Sequence, residues 1–128
     1  MNREILFLAK RLDNGEWVEG DLLHTRHADV VLISDFKDQL FRCDGNTFCQ
    51  FTGLTDKNGN KIWENDICII KDGTLDGEDG CFICKWDDCT ARYILDGNGL
   101  IADFDNVDTR YVEVIGNIFD NADLLEVE

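Results

Sequence analysis

The chain is punctuated like a β protein. Asp13-Asn14-Gly15, Asn58-Gly59 and Asp96-Gly97-Asn98-Gly99 are clusters of the residues that tolerate positive φ and close tight turns. The segments between them are short and rich in β-branched and aromatic side chains, and no proline occurs anywhere. This pattern predicts strands at Glu4 to Ala9, Trp17 to His24, Val30 to Ile33, Thr47 to Phe51, Ile67 to Lys71, Cys81 to Trp86, Ala91 to Leu95, Leu100 to Phe104 and Tyr111 to Phe119. Runs such as Ile67-Cys68-Ile69-Ile70 are too short for a helix and too apolar for a loop. In the last strand Tyr111, Glu113 and Ile115 are expected on one face, with Val112, Val114 and Gly116 on the other. Strands at such close spacing point to an all-β barrel or sandwich. One short helical turn is expected near the C-terminus, capped by Asn121 and packed through Leu124 and Leu125. The stretch Asp72 to Gly80 reads as a long acidic loop. At 128 residues the chain fits one domain, drawn over 1–128.

Charge limits the partners. The formal net charge is −15, and it is uneven. Residues 1–64 hold 8 basic and 11 acidic side chains, whereas residues 65–128 hold 4 and 16. An acidic surface repels phosphate backbones and anionic lipid, so direct nucleic-acid binding is disfavoured. The pairs Lys10 with Arg11 and Lys57 with Lys61 are the only local basic patches in view. The longest apolar run, Ile5 to Ala9, is far short of the roughly 20 residues that span a bilayer. Without a membrane segment or a signal-peptide pattern, the expected compartment is the cytoplasm. The six cysteines are then reduced thiols that pack as small apolar residues.

Each constellation with chemical potential has a plainer reading. Cys81-Phe82-Ile83-Cys84 with Cys89 resembles half of a zinc site, yet a structural site needs four ligands on tight turns. A second pair is missing: Cys43 and Cys49 are six residues apart, and His24 and His27 lie far off in sequence. Thiols three apart in a strand diverge to opposite faces. Asp72, Asp76, Glu78 and Asp79 lack calcium-loop spacing, and Asp103-Phe104-Asp105 does not continue as one. The single serine, Ser34, sits in no nucleophile elbow, and Gly97-Asn98-Gly99 is no phosphate loop. No catalytic, cofactor-binding or metal residue is assigned.

Gln50-Phe51-Thr52-Gly53-Leu54-Thr55-Asp56-Lys57-Asn58-Gly59-Asn60-Lys61-Ile62-Trp63-Glu64-Asn65-Asp66-Ile67 reads physically as a strand, a hairpin turn ending in a left-handed Gly59, and a return in which Asp66 binds backbone amides. The same run closely resembles the signature of the YopX family of phage and prophage proteins. Glu113-Val114-Ile115-Gly116-Asn117-Ile118-Phe119-Asp120-Asn121 is similar to that family's second motif, and Asp13 to Leu23 to its N-terminal hairpin. Asn65 replaces the family's glycine and Ala122 its proline. The resemblance implies an all-β fold with a small SH3-like barrel in the C-terminal two-thirds, and a gene carried by a phage or integrated element. It implies no reaction and no catalytic residues.

The expected function is therefore non-enzymatic: a protein-interaction module in the cytoplasm of a bacterial host, its partner an unknown host or phage protein that an acidic surface would steer in by a basic face. Small barrels offer strand edges and grooves for peptides. Three alternatives are a small hydrolase using the cysteines, a metal, His24 or His27; an acidic mimic of nucleic acid; and a homo-oligomeric structural part.

Overall fold

A computed structural model of the chain describes residues 4–37, 39–70, 81–97, 100–104 and 108–125. The expected loop at Asp72 to Gly80 and the turn residues Asn98 and Gly99 lie outside them. The all-β expectation holds. Among the described residues there are eleven strands, and the helical content is two single 3-10 turns, at Thr109–Tyr111 and Ala122–Leu125. In hydrogen-bonding order the strands, numbered along the chain, form two antiparallel sheets, β4 (Leu40–Asp44)-β3 (Val30–Ser34)-β2 (Trp17–His24)-β1 (Phe7–Lys10)-β5 (Cys49–Thr55)-β6 (Lys61–Trp63) and β10 (Leu100–Asp103)-β9 (Arg92–Gly97)-β8 (Phe82–Asp87)-β7 (Asp66–Ile70)-β11 (Val112–Asn117). Among the described residues neither is a closed barrel; the end strands of the second sheet, β10 and β11, pair only with β9 and β7.

The chain divides into two compact units, residues 1–53 and 54–128. In the first, β1 (Phe7–Lys10), β2 (Trp17–His24), β3 (Val30–Ser34) and β4 (Leu40–Asp44) follow one another as antiparallel neighbours. The start of β5 (Cys49–Thr55) returns to pair with β1. The β1–β2 turn is the Asp13-Asn14-Gly15 turn read from sequence. Gly15 has φ +74°, the Gly15 amide donates to the Arg11 carbonyl at 3.0 Å, and the Glu16 amide donates to Asn14 Oδ1 at 2.9 Å. One isolated bridge, Arg11 to Cys43, joins the end of β1 to β4. Ala9, Val31, Ile33 and Cys43 are buried in the core beneath, with Phe41 and Phe48 packed against them.

In the second unit β7 (Asp66–Ile70), β8 (Phe82–Asp87), β9 (Arg92–Gly97) and β10 (Leu100–Asp103) are successive neighbours, and β11 (Val112–Asn117) lies against β7. Ile62 from the short β6 (Lys61–Trp63), Cys68, Ile70, Phe82, Cys84, Leu95 and Val112 form the core. The expected alternation in β11 fails past Val114. A register shift between Val114 and Gly116 inserts a bulge, which breaks the two-residue period, and Tyr111 belongs to a 3-10 turn rather than the strand. Asn121 does not cap the last turn with its side chain; its Oδ1 accepts the Asn117 amide at 3.1 Å, closing the loop behind it.

One strand escapes a reading by composition, β4, whereas β6 is the hairpin return read from sequence at Ile62 and Trp63. Leu40-Phe41-Arg42-Cys43-Asp44 mixes polar and apolar residues at an exposed edge.

Candidate functional site

The residues singled out by sequence do not converge. His24 is exposed at the end of β2, its ring edge-on to Phe48 with centroids 5.9 Å apart. His27 is exposed in the following turn, which Thr25 Oγ1 organises by donating to the Val30 carbonyl at 2.8 Å and accepting the His27 amide at 3.1 Å. All six cysteines are free thiols. Cys43, Cys49, Cys68 and Cys84 are buried as small apolar residues. The same reading fails for Cys89, which is exposed, and Cys81 is only half-buried. Cys81 precedes β8 rather than lying within it. In β8 Phe82 and Cys84 face the core, so alternation turns Cys81 the other way. Burial pushes the Cys43 and Cys68 thiols up, which leaves them protonated and weakly nucleophilic. Among the described residues no three metal-ligating side chains come together, and no helix is long and apolar enough to cross a membrane.

The signature residues form scaffolding in the second unit. Asp56 Oδ1 accepts the Asn58 and Asn60 amides, each at 2.9 Å, and its Oδ2 accepts the Val114 amide at 2.9 Å. Burial alone would raise its pKa, but the amides of Val114, Asn60 and Asn58 outweigh it and hold the carboxyl below its usual range. Asp66, 7% exposed, accepts the Trp63 amide through Oδ2 at 2.8 Å. Here burial wins, and its pKa is pushed up to about 7. Asn65, at the family's glycine position, adopts φ +74°, as asparagine can.

A different group, in the first unit, has the shape of a binding surface. The β1–β2 turn brings Arg11, Leu12 and Asp13 alongside Gln39 and residues Leu40, Phe41 and Arg42 of β4, lining a cleft of about 550 Å³. Leu12 and Leu40 are 50% and 59% exposed there. Asp13 grips Arg11 by two hydrogen bonds, Nε to Oδ1 at 2.9 Å and Nη2 to Oδ2 at 2.6 Å. Those bonds raise the guanidinium and lower the carboxyl. They also hold the Arg11 guanidinium 4.6 Å from the Phe41 ring centroid, a cation–π geometry. Arg42 is exposed and has no side-chain partner among the described residues.

The two basic patches read from sequence are partly neutralised. Lys10 lies over the Trp17 ring at 5.3 Å, Arg11 is taken by Asp13, and Lys57 pairs with Glu113 at 3.4 Å. Sequence reasoning missed the cleft because it missed β4. The signal it did carry was two leucines, Leu12 and Leu40, beside arginines in a chain short of basic residues.

The model of a protein family described as YopX protein matches residues 6–126. The crystal structure of protein EF1440 from Enterococcus faecalis has a similar fold, with a TM-score of 0.66 and 20% identity over 98% of this chain and 100% of that one. Comparison with curated proteins gives no match.

Proposed function

The chain belongs to the YopX family, and on that premise we propose that it is a non-enzymatic protein-interaction module of a phage or prophage, acting in the cytoplasm of a bacterial host. The cleft between the β1–β2 turn and β4 carries the reading. Two half-exposed leucines lining one cleft are apolar area that a partner would bury, at about 25 cal/mol per Å². A guanidinium beside them adds direction to the contact. The acid-rich span 65–128 contributes a long-range field that repels DNA and RNA and speeds encounter with a partner's basic faces.

The test is capture from a bacterial host lysate with the native chain and with a Leu12→Asp, Leu40→Asp variant. Both sites are exposed, so the variant keeps its circular dichroism spectrum. A host protein retained by the native chain and lost by the variant is the expected result. Equal capture by both places the interaction elsewhere and overturns the reading.

A further inference from the structure

Two Asn-Gly steps lie in exposed turns of the described chain, Asn14-Gly15 and Asn58-Gly59. An asparagine followed by glycine carries its own reagent. The glycine nitrogen is next along the chain from the side-chain amide carbon, and glycine has no Cβ to crowd an approach between them. The two glycines are alike here. Both are left-handed, with φ +74° and +81°. Both N–H groups are engaged, Gly15 with the Arg11 carbonyl and Gly59 with the Asp56 carbonyl, each at 3.0 Å. The nucleophile is therefore equally restrained at the two sites, and any difference lies in the electrophile.

The electrophiles do differ. Asn14 Oδ1 accepts the Glu16 amide at 2.9 Å. An N–H can meet only the oxygen of that side-chain amide, so the donor sits on the carbonyl that would be attacked. A donor there draws charge from Cγ, and it binds more strongly once the oxygen becomes an oxyanion, which lowers the barrier rather than merely holding the ground state. Asn58 has no such donor. Its side chain makes no hydrogen bond among the described residues. Its backbone amide is held instead by Asp56 Oδ1 at 2.9 Å, and the other oxygen of that carboxylate is tied to the Val114 amide.

We propose that Asn14-Gly15 is a self-modification site, at which the Gly15 nitrogen closes on Asn14 Cγ with the Glu16 amide stabilising the oxyanion, converting Asn14 to aspartate and isoaspartate well ahead of Asn58. The Gly15 nitrogen gives its proton to a solvent base and releases the Arg11 carbonyl. The N–Cγ bond forms, a solvent proton passes to Nδ2, the Cγ–Nδ2 bond breaks, and ammonia leaves a cyclic imide. Water then adds to one of the two imide carbonyls. Cleavage of the bond from nitrogen to Cγ gives aspartate. Cleavage of the bond from nitrogen to the Asn14 backbone carbonyl carbon gives isoaspartate, whose main chain runs through Cγ and is longer by one methylene. Nothing is oxidised or reduced. Either product sets a new carboxylate next to Asp13, which lines the cleft and holds Arg11. Isoaspartate also lengthens the turn that joins Lys10 to its partner Trp17. The site does not depend on the interaction reading.

The test holds the full chain folded in mildly alkaline buffer beside a sample unfolded in guanidinium chloride. Peptide mapping by mass spectrometry follows each asparagine separately, including Asn98, which lies outside the described residues, and isoaspartate is read by carboxyl methylation. In the folded chain Asn14 should convert about threefold to tenfold faster than Asn58, the worth of one hydrogen bond, with isoaspartate among the products. In guanidinium chloride the two rates should converge. Glu16→Pro removes the donor N–H and should bring Asn14 to the rate of Asn58, whereas Glu16→Gln keeps the N–H and should leave Asn14 fast. Circular dichroism checks that both variants fold; if Glu16→Pro does not, the folded and unfolded native samples decide alone. Equal rates in the folded chain, a difference that persists in guanidinium chloride, aspartate without isoaspartate, or a folded Glu16→Pro chain as fast as the native one would overturn the proposal.

Discussion

The Val114 amide donates to Asp56 Oδ2 at 2.9 Å across a separation of 58 residues, tying the hairpin turn after β5 to the middle of β11. The other oxygen of the same carboxylate fastens the turn itself through Asn58 and Asn60. Two of the three stretches that carry the family resemblance thus meet at one side chain.

Asp56→Ala should cost about 2–4 kcal/mol, because three amides lose an ionised acceptor. Asp56→Asn should cost less, since its single carbonyl oxygen still accepts from part of the set. Urea unfolding at neutral pH checks both. The native chain should also lose stability in acid. A carboxyl held below its ordinary pKa of 3.8 stabilises fully above that value, and the contribution disappears as pH falls through the lowered one.

Asp66 should act in the opposite sense and in another window. Its pKa rises from 3.8 to about 7. Below the lower value both folded and unfolded chains hold the proton. Between the two, unfolding releases it, so stability falls as pH climbs and levels off above about 7. Asp66→Asn keeps an acceptor for the Trp63 amide and cannot ionise. It should flatten this slope and stabilise the chain at pH 8 by up to a few kcal/mol, measured as the difference in urea midpoints at pH 5 and pH 8. A native curve already flat across that range would refute the assignment.

Gly116 stands where the β11 bulge meets the closing loop. A Cβ there would lie 2.5 Å from Asn121 Oδ1, the oxygen that accepts the Asn117 amide. Gly116→Ala should therefore destabilise by about 1–3 kcal/mol. Asn121→Ala removes the obstructing amide, so the double variant should be less destabilised than the sum of the two singles. Strict additivity would show that the steric conflict is not the cause.

Direct nucleic-acid binding should be absent. A gel shift with duplex and single-stranded DNA and RNA at about 150 mM salt, where screening extends about 8 Å, should show no micromolar complex. The neutralised positions of Arg11 and Lys57 strengthen the electrostatic expectation.

The turns were legible because their chemistry is local. Asp13-Asn14-Gly15 and Asp56 to Gly59 carry the side-chain acceptors and left-handed glycines that close a hairpin whatever surrounds it, and the structure places Gly15 and Gly59 at φ +74° and +81°. β2 is legible to the residue, Trp17–His24, because its length and composition suffice. β4 was not, since Leu40-Phe41-Arg42-Cys43-Asp44 becomes a strand by pairing with β3 and meeting Arg11 across the unit. The candidate cleft inherits that difficulty. It is made of two segments whose adjacency depends on long-range register, which no local pattern records. Nor does the period of β11 announce the bulge, which answers to Gly116 and Asn121 together.

The placement of β11 also bears on how the chain is made. β7 lies between β8, which follows it, and β11, which the ribosome supplies more than forty residues later. Until Val112–Asn117 emerges, one edge of β7 is an open template and Asp56 lacks its third amide. A nascent strand edge of this kind invites pairing with other chains. In the newborn protein, the vulnerable interval is the wait for β11, and anything that slows translation after β10 prolongs it.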